Sequence, residues 1–174
     1  MGLIQELDYR VAEANVFQRL MWKVSSSLPG SWFFAKTLHH VDRVVLRLTR
    51  GRLTVPGLLA GLPIVSLATT GARTGQRREV PLVGVPTGDH IAIIGTRFGQ
   101  ARTPGWFFNL RAEPRAEIAY RGRTVAVVAR EADGDEREAI WSRGCEIYAG
   151  YQAYARRIDH RRIHVMVLEP AIAG

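Results

Sequence analysis

The sequence contains one cysteine, Cys145, in 174 residues, so an intrachain disulfide is excluded. A lone thiol suits a reducing cytoplasm. No histidine lies near it in sequence to act as an activating base, and Cys145 reads as a small core residue. Lysine is almost as scarce: of 24 basic residues only Lys23 and Lys36 are lysine, and the rest are arginine. Acids number 16, which leaves a formal net charge of +8. The uncharged stretch from Leu53 to Ala72 is broken by Pro56, Gly57, Gly61 and Pro63, so it predicts loop plus strand and not a membrane span. Glu6, Asp8 and Arg10 near the start do not fit a secretory leader. The histidines, His39 and His40 included, lack the spacing of a zinc site, and no metal is expected. No Gly-x-Ser-x-Gly elbow, dinucleotide fingerprint, P-loop, repeat or low-complexity tract is present.

What is abundant is arginine, whose planar fork matches phosphate and carboxylate. A genomic bias towards arginine codons would give the same composition. A positive total favours an anionic partner, either a phosphate-bearing cofactor, a nucleic acid or an acidic membrane surface, without choosing among them. A content of 47% hydrophobic residues suits one sizeable core.

Ile4, Leu7, Val11, Ala14, Met21, Val24 and Leu28 recur at helical spacing, and Phe34, Leu38, Val41, Val45 and Leu48 do so again after Pro29-Gly30-Ser31. Residues 1–56 therefore read as a helical N-terminal extension and 57–174 as the main domain. From Pro63 onward the period becomes that of strands. Expected strands cover Ile64–Thr70, Arg78–Val85, His90–Thr96, Ala116–Tyr120, Thr124–Arg130 and Ile163–Leu168. Pro86-Thr87-Gly88-Asp89 and Arg121-Gly122-Arg123 read as turns. Helices are expected over Pro104–Arg111 and from Asp133, paired with Glu136 as a capping box, to about Tyr148. Six short strands joined by hairpins, with helices inserted, define an α+β chain with a closed or half-closed antiparallel barrel.

Two loops invite an anion. Gly71-Ala72-Arg73-Thr74-Gly75 follows the first strand, and Gly95-Thr96-Arg97-Phe98-Gly99-Gln100 follows the third. Glycine permits tight turns and close ligand approach, while arginine and threonine offer charge-assisted bonds. Each loop is equally readable as a solvated turn. The functional reading gains only if both converge on one mouth. Pro104-Gly105-Trp106-Phe107-Phe108-Asn109-Leu110 is an aromatic helical turn in which the amide of Asn109 needs partners. Tyr148, Tyr151 and Tyr154 recur every third residue and could form a wall that is apolar but able to hydrogen bond. Residues 156–162, with four arginines, read most simply as a solvated turn, or more sharply as an anionic surface contact.

Taken in order, several pieces resemble the deazaflavin-dependent nitroreductase family, which uses coenzyme F-420. They are Thr69-Thr70-Gly71-Ala72-Arg73-Thr74-Gly75-Gln76, Pro81-Leu82, Gly95-Thr96-Arg97 with Gly99, Pro104 to Leu110 with Pro114, and Tyr148 with Tyr151-Gln152-Ala153-Tyr154. The resemblance runs from about Pro63 to Pro170. It implies a six-stranded split β-barrel of the FMN-binding type, usually dimeric, and a coenzyme carrying a lactyl phosphate and a polyglutamate tail. It further implies that Gly71, Arg73, Thr74, Gly75 and Arg78 receive the phosphate and carboxylates. Pro81, Leu82, Thr96, Arg97 and Gly99 border the ring, and Trp106 and Asn109 complete the wall. Tyr151, with Tyr148 and Thr96, is then the candidate for orienting or protonating the acceptor, and Val83 and Tyr154 line its side. Thr96 and Val83 stand where the nitroimidazole-reducing pattern carries serine and tyrosine, which points to a quinone or an electron-poor enone ahead of a nitro compound. Two alternatives stay open here: an FMN-dependent enzyme of the same barrel type, and a basic module for nucleic acid or membrane. Peripheral contact with the inner face of the membrane would use Phe17, Arg19, Trp22, Lys23 and Lys36.

Overall fold

Val65 and Leu67 are fully buried on one face of β1 (Ile64–Thr70) and join a single apolar cluster. A strand with one face in a core has this period of two. Five more strands follow: β2 (Arg77–Thr87), β3 (His90–Ile94), β4 (Arg115–Tyr120), β5 (Arg123–Glu131) and β6 (Val165–Pro170). Every pairing is antiparallel, and the order β1-β2-β3-β6-β5-β4 closes on itself through β4 against β1. This computed structural model describes residues 2–11, 62–158 and 160–171. All six expected strands are there, with ends shifted by a residue or two. Ile91, Ile93, Met166 and Leu168 face the barrel interior, whereas Ala92, Ile94, Val165 and Val167 belong to a second cluster outside it. That double burial explains why β3 reads as an almost unbroken apolar run.

Antiparallel order sets the two ends of the barrel. The Gly88-Asp89 and Arg121-Gly122 hairpins lie at one end, with positive φ of 48° at Arg121 and 84° at Gly122, as a two-residue turn matched to strand twist requires. At this end α1 (Leu3–Leu7) buries Leu3 and Leu7. The Tyr9 hydroxyl donates to the Gly84 carbonyl at 2.8 Å, with the Pro63 carbonyl at 3.3 Å. Its ring leans on Tyr120 at 4.8 Å between centroids, and burial pushes its pKa far above the ordinary phenol value. The sequence pattern carries a helix through Val11. Here it stops at Leu7, with Asp8 left-handed at φ 48°, because Tyr9 is drawn into the barrel. The remaining expected N-terminal helix positions, the proposed membrane contacts among them, lie outside the described residues. Among the described residues no helix is long and apolar enough to cross a membrane, and no group of three metal-binding side chains gathers.

At the opposite end α2 (Gly105–Ala112) drives Trp106, Phe107 and Leu110 into the interior cluster. Outside the barrel, α3 (Gly134–Ile147) and α4 (Gly150–Ala155) cover β2, β3 and β6. The expected Asp133/Glu136 capping box does not form. Asp133 makes no side-chain cap bond, and Glu136 instead accepts two bonds from Arg130 at 2.6 and 2.7 Å. A bidentate ion pair outcompetes a neutral backbone donor.

Candidate active site

β2 is the longest strand, and its two halves have different partners. Arg77–Val83 pair with β1, while Gly84–Thr87 pair with β3. β3 ends level with Val83, so Arg77–Leu82 run on beyond it. Among the described residues no strand takes that edge of β2. The 71–76 and 95–100 loops flank this opening, both at the α2 end of the barrel.

α2 meets both loops. The Pro104 ring, at its start, lies 3.7 Å from where a Gly95 side chain would begin. Asn109 donates from Nδ2 to Thr69 Oγ1 at 3.0 Å and accepts the Ala72 N–H at 3.0 Å. α2 thus bonds to the first loop through Asn109 and packs Pro104 beside Gly95 at the base of the second, and both loops lie at the same end of the barrel. The partners that the Asn109 amide needed are Thr69 and Ala72.

In the first loop the Gly71 N–H is bonded to Gln76 O at 2.8 Å. Those of Thr74 and Gly75 go to Gly71 O at 3.2 and 2.8 Å. These amides, with that of Ala72, are engaged inside the molecule, so the positive character of the loop comes from side chains. Arg73, Thr74 and Arg78 are exposed, and Gly75, at φ +67°, has open space around it. Arg77 is neutralised by Glu117 at 2.6 Å. Arg78 donates to Gln76 Oε1 at 3.1 Å, and neither it nor Arg73 has a carboxylate partner among the described residues.

The second loop has an unusual backbone. Arg97, Phe98 and Gly99 are consecutively left-handed, at φ 48°, 56° and 75°. Thr96 is buried and Arg97 is exposed, with Arg97 Nη1 donating to Thr103 O at 3.4 Å. Behind the turn Arg161 donates to the carbonyl oxygens of Gly95, Thr96 and Gln100. Sequence reasoning missed this residue and placed it in a solvated run. An arginine aimed at backbone carbonyls leaves no mark in the pattern of neighbouring side chains.

Val83, Tyr148, Tyr151 and Tyr154 come together with Phe98 in the outer cluster. All three tyrosines are at most 5% exposed. The Tyr148 and Tyr154 hydroxyls are 2.9 Å apart and hydrogen bonded, and the Tyr151 ring meets Tyr148 edge-on. The stripe is not one continuous helix face: Tyr148 sits in the break between α3 and α4, over Gly150, where any side chain would strike its ring. Burial raises the pKa of Tyr151 and Tyr154 far above the free phenol value, so both are neutral at physiological pH. Trp106 and Leu82 sort with the barrel interior, whereas Pro81 is half-buried beside the open edge of β2.

A closed six-stranded antiparallel barrel with a free stretch of β2 and two arginine-bearing loops at one end places the chain in the split-barrel class. Residues 40–170 match the profile of the F-420H(2)-dependent quinone reductase family, and the chain belongs to that family. It is 31% identical over 133 residues to an F-420H(2)-dependent quinone reductase of Mycobacterium tuberculosis, covering 68% of this chain and 87% of that protein. A solved F-420-H2 dependent reductase is 35% identical with a TM-score of 0.57, covering 62% of this chain and 94% of the other. A solved domain-swapped dimer is 30% identical with a TM-score of 0.59, covering 81% and 99%. The deazaflavin-dependent family anticipated from the motifs is the one found, under a description that names quinone reduction. The protein is therefore an enzyme, a reductase that works with coenzyme F-420. The donor set fits that coenzyme: Arg73, Arg78 and Arg97 have no carboxylate partner among the described residues, and the space at Gly75 is open.

Proposed function

We propose that the chain carries a hydride from reduced coenzyme F-420 to an electron-poor organic acceptor, a quinone first, then an enone or a nitro compound. The observation that carries this reading is the free edge of β2 over Arg77–Leu82 with both arginine-bearing loops at the same end of the barrel, the first of them bonded to α2 through Asn109. Arg73, Arg78 and Arg97 would hold the phosphate and carboxylates through charge-assisted bonds, with the Thr74 hydroxyl among the donors. Asn109 keeps the first loop in place. Pro81, Thr96 and Val83 would border the ring. When bound, the reduced coenzyme supplies a hydride and not single electrons.

The chain's own part is alignment and water exclusion. Tyr148 and Tyr154 brace each other through their shared hydrogen bond, and Tyr151 packs against them. Phenols with raised pKa are weak acids at neutral pH, so their role is to orient the acceptor rather than to protonate it. The quinone preference is supported by the quinone-reductase relative and by the apolar Val83 beside the tyrosines. A homodimer is the assembly we favour, supported by the domain-swapped neighbour.

Titration with F-420 and with FMN, followed by tryptophan quenching, tests the cofactor. F-420 should bind, FMN should not, and Arg73→Ala should weaken binding. Unchanged affinity in Arg73→Ala would remove the first loop from the site. Oxidation of reduced F-420 by a soluble quinone, an enone and a nitroimidazole, compared side by side, tests the acceptor. A nitroimidazole outpacing the quinone would reverse the stated preference.

A further inference from the structure

Three consecutive left-handed residues, two of them with side chains, rarely persist without support. In the turn at residues 95–100 the backbone closes only two bonds of its own, Gly99 N–H to Thr96 O at 3.0 Å and Gln100 N–H to Arg97 O at 3.1 Å. The support comes from residues some sixty positions later in the chain. The Gly95 N–H donates to His164 O at 2.8 Å. All three nitrogens of the half-buried Arg161 guanidinium face carbonyl oxygens. Nε donates to Gln100 at 3.3 Å, Nη1 to Gly95 at 3.2 Å and to Arg162 at 3.2 Å, and Nη2 to Gly95, Thr96 and Gln100 at 3.1 to 3.2 Å. No carboxylate pairs with it among the described residues. Its donors are given over almost wholly to the turn. Burial, together with the opposing charge of nearby Arg97, holds the Arg161 pKa below its usual value.

We propose that Arg161 is a positioning residue of the coenzyme site, a guanidinium staple that holds the turn from Thr96 to Gly99 in its left-handed form and so presents Thr96 and Arg97 to the ligand. This rests on the coenzyme reading given above. The planar fork is essential because it reaches three carbonyls at once. Lysine keeps the charge but offers a single point of donation. The positive charge behind Arg97 also enriches the turn for anions, and the two contributions separate by substitution.

Arg161→Lys and Arg161→Ala are compared with the wild type by two readouts. One is affinity for F-420 by tryptophan quenching, and the other is amide hydrogen exchange in the ligand-free protein. Both substitutions should weaken F-420 by about tenfold or more. Both should speed exchange at Gly99 and Gln100 while the Ile91–Ile93 amides of β3 stay protected. Added methylguanidine should recover part of the lost affinity in Arg161→Ala. Arg161→Lys matching the wild type in both readouts would show that charge alone suffices and would overturn the staple. So would unchanged exchange at Gly99 and Gln100 in both variants. If Arg161→Ala fails to fold, Arg161→Lys carries both readouts alone. Failure of the wild type to bind F-420 would strike the coenzyme reading, while the exchange comparison needs no ligand and still decides the fate of the staple.

Discussion

The two ends of the barrel are built from the same kinds of parts and used differently. Each is stoppered by a helix, α1 at one and α2 at the other, and both helices feed one interior cluster. At the α1 end the hairpin turns have two residues, and three arginines are engaged within the protein, one by a carboxylate, one by a backbone carbonyl and one by a ring. Arg10 pairs with Asp8 at 3.0 Å, Arg123 donates to Glu6 O at 3.3 Å, and Arg121 lies over the Tyr120 ring. At the α2 end the connections are long, one turn is left-handed for three residues, and Arg73, Arg78 and Arg97 lack carboxylates among the described residues. A charge already matched belongs to the fold. A charge left without a carboxylate beside an unpaired strand edge is the feature on which the proposed coenzyme site rests.

The sharpest test of this contrast lies at the stoppered α1 end. A side-chain carbon at Gly84 would sit 2.5 Å from the Tyr9 hydroxyl, so Gly84→Ala must push the plug outward. We expect a loss of about 3 kcal/mol in urea unfolding with F-420 affinity unchanged. A tenfold change in affinity would show that the ends are not independent. Next comes alkaline pH. Burial raises the folded pKa values of Tyr9, Tyr151 and Tyr154 well above the ordinary phenol value of about 10. Their contribution to stability is complete below that value and is lost as pH rises above it, since only the unfolded phenols ionise there. Each should cost about 1.4 kcal/mol per pH unit above pH ~10. Urea unfolding across that range should show the slope, and Tyr9→Phe or Tyr151→Phe should each reduce it by one proton.

Smaller effects belong to the loops. Arg73→Ala should weaken F-420 by roughly tenfold, with a steep salt dependence in the wild type, and leave the melting temperature in place. Arg121→Ala, at the α1 end, should leave affinity alone. Asn109→Ala removes the partner of the Ala72 N–H and one of the two partners of Thr69 Oγ1, which keeps the Arg78 carbonyl. It should cost about 1 kcal/mol in stability and several-fold in affinity, read by calorimetry and titration on one sample.

What could be read from the sequence follows from how far each cause reaches along the chain. Strands and hairpins were legible because alternation and a Gly-containing turn are local, as at Arg121-Gly122. The two arginine loops could be named but not placed at one end of the barrel, since that depends on the strand order, and the hold on the first loop depends on Asn109 meeting Thr69 and Ala72 across the fold. The extent of α1 was misjudged because Tyr9 is held by Gly84 and Pro63, far away in sequence. The Asp133/Glu136 cap was lost to Arg130, a competitor from β5. Tyr148, Tyr151 and Tyr154 do meet in the outer cluster, but across the break between α3 and α4 and not along one helix face, and their burial depends on Gly144 and Gly150, which leave room for the rings. Arg161 was illegible because its partners are carbonyl oxygens, which every residue has.

Because α2 is both the stopper of the barrel and the anchor of the first loop, binding at that loop and unfolding are thermodynamically linked. The first loop cannot rearrange without disturbing its bonds to the helix that carries Trp106, Phe107 and Leu110. A molecule seated there should therefore protect the interior cluster as well as the rim, and raise the midpoint of thermal denaturation by an amount that grows with the logarithm of its concentration.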